Sequence, residues 1–256
     1  MLRAERQQAI LELVKNRGIV AIEDLMAQTD SSKATIRRDI NELAEHSLLV
    51  KIRGGARFAT DIKLPDQEPS QAAKSLVNVE EKRRIAAAAK RHIHPNSRLF
   101  LDSGTTVLEL ARLLENEANL TFVTNDLQIG TALAGNRKST LLFLGGMVRK
   151  GFTATYGYFA EQMLGELSVN QMFFSVDAVD PELNITSYTM EDINVKKIGM
   201  AQAEERILLC DHSKFTTCAL FNICTIANID TIIVPKELDS ETIEHLRRSG
   251  ITVEVV

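Results

Sequence analysis

The 256-residue chain has no tryptophan, few prolines and aromatics, and no apolar stretch approaching the ~18 residues of a membrane-spanning helix. Its three cysteines, Cys210, Cys218 and Cys224, are odd in number and lack Cys-x-x-Cys spacing. Neither a disulfide framework nor a zinc site is expected from them. The opening Met-Leu-Arg-Ala-Glu-Arg is too charged to lead into the apolar region of a secretory signal, so a cytoplasmic protein is expected. No strong excess of either charge is present: the formal net charge is −4. What the chain does have is 45% hydrophobic and 25% charged residues, enough to bury a core, which excludes a wholly disordered or collagen-like chain. At this length a small domain plus a medium one is expected.

The small net charge hides an asymmetry. Residues 1–60 hold ten Lys and Arg against eight Asp and Glu, and the remainder is acidic. Between Ser31 and Arg57 six basic residues face three acidic ones, which puts positive charge where it can meet a polyanion such as nucleic acid.

Apolar periodicity predicts helices over residues 4–15 and 22–28, then a third from Ser32 as N-cap to about His46, with Ile36, Ile40 and Leu43 as its buried stripe. A strand at 48–52, a Gly54-Gly55 turn and a returning strand at 56–58 complete a winged helix-turn-helix over residues 1–58. Periodicity fades over 59–78, where Pro65 and Pro69 suggest a linker. From 79 to 256 short apolar runs alternate with helices, the pattern of an α/β domain with a parallel sheet. Its predicted strands lie near 99–101, 122–123, 141–144, 172–176, 207–210, 232–234 and 252–255.

In the third helix Ser32, Lys33, Thr35, Arg37 and Arg38 lie in the first turns, off the apolar stripe. A helix docked by its N-terminal end in the major groove presents such positions to phosphates and base edges. Lys51, Arg53 and Arg57 form a second basic cluster on the hairpin, where a wing would touch the flanking backbone. The alternative is a solvated basic face that pairs internally, for instance Arg38 with Glu42 at i,i+4.

The run Thr35-Ile36-Arg37-Arg38-Asp39-Ile40-Asn41-Glu42-Leu43, followed by Arg53-Gly54-Gly55-Ala56, closely resembles the N-terminal signature of the DeoR family of bacterial transcriptional regulators. The resemblance continues through Asp102-Ser103-Gly104-Thr105-Thr106, Thr124-Asn125, Gly145-Gly146 and Asp211-His212-Ser213-Lys214-Phe215. It departs at Ala21, where the family usually has a polar cap, and at Thr29 and Ser31, where it has apolar turn residues. These departures predict a DNA-binding domain of low intrinsic stability.

Asp102-Ser103-Gly104-Thr105-Thr106 falls between a strand and a helix, where backbone N–H groups, the helix dipole and hydroxyls converge on an anion. On the plainer reading Ser103 and Thr105 only cap the helix. Polar groups also follow later strands: Asn125, then Gly146 with Arg149 and Lys150, then Asp177, then Asp211 with Lys214. In an open parallel sheet such strand ends share one edge. Resemblance adds a fold and a ligand class. The C-terminal half of the family resembles ribose-5-phosphate isomerase and glucosamine-6-phosphate deaminase, which implies sensing of a phosphorylated sugar. The candidate effector residues are then Asp102, Ser103, Gly104, Thr105, Thr106, Asn125, Gly146, Lys150, Asp177, Glu191, Lys196, Asp211 and Lys214. Glu191 and Lys196 fall on a helix where charged side chains are usually solvated.

The sequence thus predicts a regulator, with repression of a carbohydrate-catabolism operon as the leading form. Its partners would be double-stranded operator DNA, a phosphorylated sugar and further copies of itself as a homodimer or homotetramer, with no membrane, cofactor or metal. His92 and His94 are expected to be surface histidines. The alternative is a sugar-phosphate isomerase or deaminase with an appended nucleic-acid module, in which Asp102, Asp177 or Asp211 acts as general base.

Overall fold

A computed structural model describes residues 2–45, 48–52, 54–58, 68–217 and 219–256. The chain forms two compact units, Met1–Val79 and Glu80–Val256. In the first, α1 (Arg3–Arg17) leads through β1 (Ile19–Ala21) to α2 (Ile22–Thr29) and α3 (Lys33–Glu45), and the hairpin β2 (Leu49–Ile52) and β3 (Gly55–Phe58) follows. Ile10 and Val14 of α1, Leu25 of α2 and Ile36, Ile40 and Leu43 of α3 are fully buried against one another, as the period of their spacing requires. Strand β1 pairs antiparallel with β3, so the wing has three strands where the sequence suggests two. Only Val20 of its three residues is buried, too short a pattern to read.

Of the stretch expected as a linker, 59–78, residues 59–67 lie outside the described residues and the rest carries a helix. A short helix, α4 (Gln71–Leu76), starts on Ser70, whose hydroxyl accepts from the Ala73 N–H at 3.2 Å. Ala73 is buried, and Leu76 packs on the core of the first unit. Six residues after a proline carry too little periodicity to separate a docked helix from a connection.

The second unit runs α5 (Val79–Arg91), β4 (Arg98–Leu101), α6 (Thr105–Leu113), β5 (Thr121–Thr124), α7 (Leu127–Leu133) and β6 (Thr140–Phe143). A two-stranded ribbon, β7 (Met147–Val148) with β8 (Thr155–Tyr156), then leads into α8 (Tyr158–Gly165). Next come β9 (Val169–Phe174), β10 (Ala178–Val179), β11 (Asn184–Ser187), α9 (Ile193–Gln202) and β12 (Ala203–Leu209). Strands β13 (Phe221–Thr225) and β14 (Thr231–Val234), helix α10 (Ser240–Arg248) and β15 (Thr252–Val255) end the chain. Strands β10, β11 and β13 make a small antiparallel sheet.

The main sheet is parallel, in the order β15-β14-β12-β9-β4-β5-β6. Its strands are apolar on both sides because helices cover both faces. Leu99, Leu101, Phe173 and Ile207 meet α5, α6 and α7 on one face, while Phe100, Met172, Phe174 and Leu208 meet α8 and α9 on the other. Chain order grows from β4 toward β6 and then, from β9, in the opposite direction. The reversal opens a crevice between the C-terminal ends of β4 and β9, the usual ligand position in such sheets. Gly199 fixes the depth of α9 here, since a Cβ at that position would overlap the Phe100 ring.

Candidate functional site

Two sites are built on these units. On the first, Ser32 Oγ accepts from the Thr35 N–H at 3.3 Å and hydrogen-bonds the Thr35 hydroxyl at 2.9 Å, which fixes the start of α3. Arg37, flanking the Ile36 and Ile40 stripe, and Arg38, opposite it, are exposed and make no ion pair among the described residues. The internal pairing of Arg38 with Glu42 is not adopted, because Glu42 is taken by Arg3 and by Gln7 Nε2 at 2.9 Å. Lys33 reaches Glu23 at 3.0 Å, and this contact holds the Glu23 carboxyl below its ordinary range. Lys51 donates to Asn41 Oδ1 at 2.7 Å, which ties wing to helix. Arg57 lies on β3; Arg53 falls outside the described residues.

Asp39, one residue beyond the two arginines, faces inward. It is buried and receives Arg6 Nε at 2.6 Å, so it clamps the recognition helix to α1. Where a polar cap is missing at Ala21, the Ile22 N–H donates to the Gly54 carbonyl at 2.9 Å. The buried Thr29 hydroxyl donates to Leu25 O at 2.7 Å, and Ser31 Oγ to Thr29 O at 3.0 Å. Each unusual turn residue thus has its polar group satisfied.

On the second unit the ends of β4, β5 and β9 bring Asp102, Asn125, Ser175 and Asp177 to the crevice. Lys196 is not solvated as helix charges usually are. It is buried, paired with Asp102, and donates to the Ser175 carbonyl at 3.2 Å. Burial pushes the Asp102 carboxyl up to about 6 against the pull of Lys196. Burial also opposes the charge on Lys196, but Asp102, Asp192 and Asp177 together hold its pKa above the ordinary value. Asp177 accepts from Ser187 Oγ at 3.1 Å and the Tyr188 N–H at 3.2 Å.

Ser103 does not cap α6. Its hydroxyl donates to Asp126 Oδ2 at 3.0 Å, and the cap position is Gly104, at φ 154 and with its would-be Cβ 3.2 Å from Ser175. The first turn of α6, with Thr105 and Thr106 buried, therefore has no side-chain cap on its N–H groups. Asp126, absent from the candidates, joins three elements: Oδ1 caps α7 through Gln128 and Ile129, and Oδ2 takes Ser103 and Thr153. Next to it, Asn125 is buried, and its Oδ1 has no hydrogen-bond partner.

Lys150 is exposed in the turn that closes the ribbon, and the cation facing inward is its buried neighbour Arg149. The Arg149 guanidinium lies 2.9 Å from Glu191 and 3.1 Å from Asp192, stacked 3.9 Å above the Phe152 ring. The strap of residues 145–157 is thereby fastened at the start of α9. Gly146 spaces that strap, because a Cβ there would come within 2.6 Å of the Tyr156 carbonyl. Asp211 follows β12 and takes Lys82 of α5 at 3.4 Å, while Lys214 is half-buried on the next turn. Burial lowers the Lys82 pKa despite Asp211. Beside it Glu81 holds His212 Nδ1 at 2.7 Å. Lys82, Glu81, Arg149 and Asp126 have partners far away in sequence, so no spacing rule finds them. A cleft of about 630 Å³ between Pro181, Leu183, Phe215 and Thr242 shares none of the candidate residues. His92 pairs with Glu254 at 2.6 Å.

A family model described as the DeoR-like helix-turn-helix domain matches residues 6–61, and one described as the DeoR C terminal sensor domain matches residues 77–236. An Escherichia coli O157:H7 protein described as an aga operon transcriptional repressor is 34% identical, over 99% of this chain and 94% of its own. A lactose phosphotransferase system repressor from Staphylococcus epidermidis is 32% identical over the full length of both chains. The glycerol-3-phosphate regulon repressor of Escherichia coli K12 is 29% identical over 91% of this chain and 90% of its own. Among solved structures, ribose 5-phosphate isomerase A of Methanocaldococcus jannaschii superposes with a TM-score of 0.41 at 19% identity, covering 54% of this chain and 55% of its own. That likeness is too slight to bear on function. With its recognition helix and its sensor sheet matched in order along the chain, the protein belongs to the DeoR family of transcriptional regulators.

Proposed function

We propose that the protein represses a carbohydrate-catabolism operon by holding operator DNA with α3 and the wing, and that a phosphorylated sugar at the β4–β9 crevice releases it. The observation that carries the ligand assignment is the buried Asn125 Oδ1 without a donor, one strand from the uncapped N-terminus of α6. An orphaned buried acceptor is costly unless a ligand supplies its donor. A sugar hydroxyl supplies it, and a phosphate suits the free N–H groups and dipole of the helix start. The names of two relatives matched over 90% or more of both chains, for the glycerol-3-phosphate regulon and the lactose phosphotransferase system, support the same class.

The proposal makes the protein a sensor and not a catalyst. Asp102, Asp177 and Asp211, the possible general bases, are each already engaged, by Lys196, by Ser187 and Tyr188, and by Lys82. Among the described residues no helix is long and apolar enough to cross a membrane, and a repressor works in the cytoplasm where the DNA is. Ligand and DNA must favour different states of the protein, since a ligand with equal affinity for both shifts nothing. The test is an anisotropy titration on DNA from upstream of the protein's own gene and its neighbours, with a panel of sugar phosphates. Release by one compound, lost in Thr105→Ala and Lys196→Met, is the expected result. Specific binding indifferent to the whole panel would refute the ligand assignment.

A further inference from the structure

The strap faces outward as well as inward. Met147, Val148, Tyr158 and Phe159 are between 51% and 69% exposed, and Met163, one turn beyond Phe159, is exposed too. Met147, Tyr158, Phe159 and Met163 form one patch, whereas Val148, next along β7, points to the other side of the ribbon. Met147 stands in register with Tyr156, the chain passes through Gly157 directly into α8, and the Tyr158 and Phe159 rings meet edge to face at 5.7 Å. Gln162 completes the exposed side of that turn, so no charge interrupts it. Aromatic and methionine side chains are the composition of an interface centre, not of a rim.

With an aromatic side chain presenting about 150–250 Å², the exposed parts of these four residues amount to roughly 400–500 Å². A soluble monomer's largest apolar patch is about 300–600 Å² and is often functional. A stable protein interface buries about 800 Å² on each partner, so this patch supplies the apolar centre of one.

We propose that the patch is where a second copy of the chain docks, patch against patch about a two-fold axis. A two-fold contact places each residue near its own counterpart, and an uncharged apolar surface meets that condition without opposing like charges. Glu161 on α8 and Glu166 at its C-cap disfavour an anionic lipid surface as the occupant. Each chain also carries a single recognition helix, so reading an operator of two half-sites needs a second copy. The contact is independent of which ligand the crevice takes.

Sedimentation velocity of the full chain tests it, over about 0.1–50 µM, the range in which standard-size interfaces associate. The wild type associates, and Phe159→Lys weakens association at least about 100-fold, the loss typical of one interface hot spot. Mixing Phe159→Lys with Phe159→Glu restores it, since opposite charges then meet across the axis. Leu220→Lys, at an exposed leucine elsewhere, leaves association unchanged. Circular dichroism melts confirm that each variant is folded. A wild type that stays monomeric, or binds phosphatidylcholine vesicles instead, overturns the proposal. So do a Phe159→Lys variant that associates like wild type and a mixture that fails to re-associate.

Discussion

Asp39 follows two arginines in sequence, yet its partner is Arg6, on another helix. Removing one member of a buried ion pair leaves the other charge uncompensated, so Asp39→Ala is expected to cost the first unit about 3 kcal/mol. Chemical denaturation followed by circular dichroism measures it; a loss below about 1 kcal/mol would place the pair among ordinary surface ones. Asp102 makes a prediction of the opposite sign. Its folded pKa, about 6, lies above the ordinary 3.8, so between these values the folded state binds the proton more tightly than the unfolded one. Its contribution to stability therefore falls as pH rises from about 4 to about 6 and stays low above, a change of about 3 kcal/mol. Lys196, with a raised pKa, adds stability that is lost only in the alkaline range. Relative to Asp102→Asn, the wild type should weaken across that acid window and run parallel above pH ~7. Parallel profiles throughout would mean that Asp102 does not titrate there.

At the scale of elements, α3 separates its jobs by face: Ile36, Ile40 and Leu43 inward, Asp39 to α1, Arg37 and Arg38 outward. Arg37→Ala and Arg38→Ala should each weaken operator binding about ten-fold or more with unchanged melting. A phosphate-contacting arginine will also flatten the salt dependence, and a base-reading one will relax sequence preference. A variant that melts early as it loses DNA would assign the residue to folding instead. The face of α3 was legible from its 4-3 spacing, and the parallel sheet from its continuous apolar strands. The strap and α8 were not: β7 and β8 have two residues each, and α8 shows outward the apolar side chains that pattern reading expects inside. Asp102, Asn125 and Asp177 reach the crevice because strand ends share an edge. Residue type alone does not say which of two adjacent cations, Arg149 or Lys150, turns inward.

For the whole molecule, the two units differ in what supports them. The first rests on one small core beneath three helices and a three-stranded wing; the second buries both faces of a seven-stranded sheet. Small cores are marginal. Scanning calorimetry should show two transitions, the lower one coinciding with loss of operator binding, even though Ala21, Thr29 and Ser31 are locally satisfied. A single cooperative transition would contradict this. Helix α5 gives the division a further meaning. The units part between Val79 and Glu80, and Glu81 and Lys82 already grip His212 and Asp211 beyond the end of β12. Anything that competes for Asp211 pulls on the backbone three residues from the joint. The Lys82–Asp211 pair therefore lies less than one turn of helix, along the chain, from the point where the two units part.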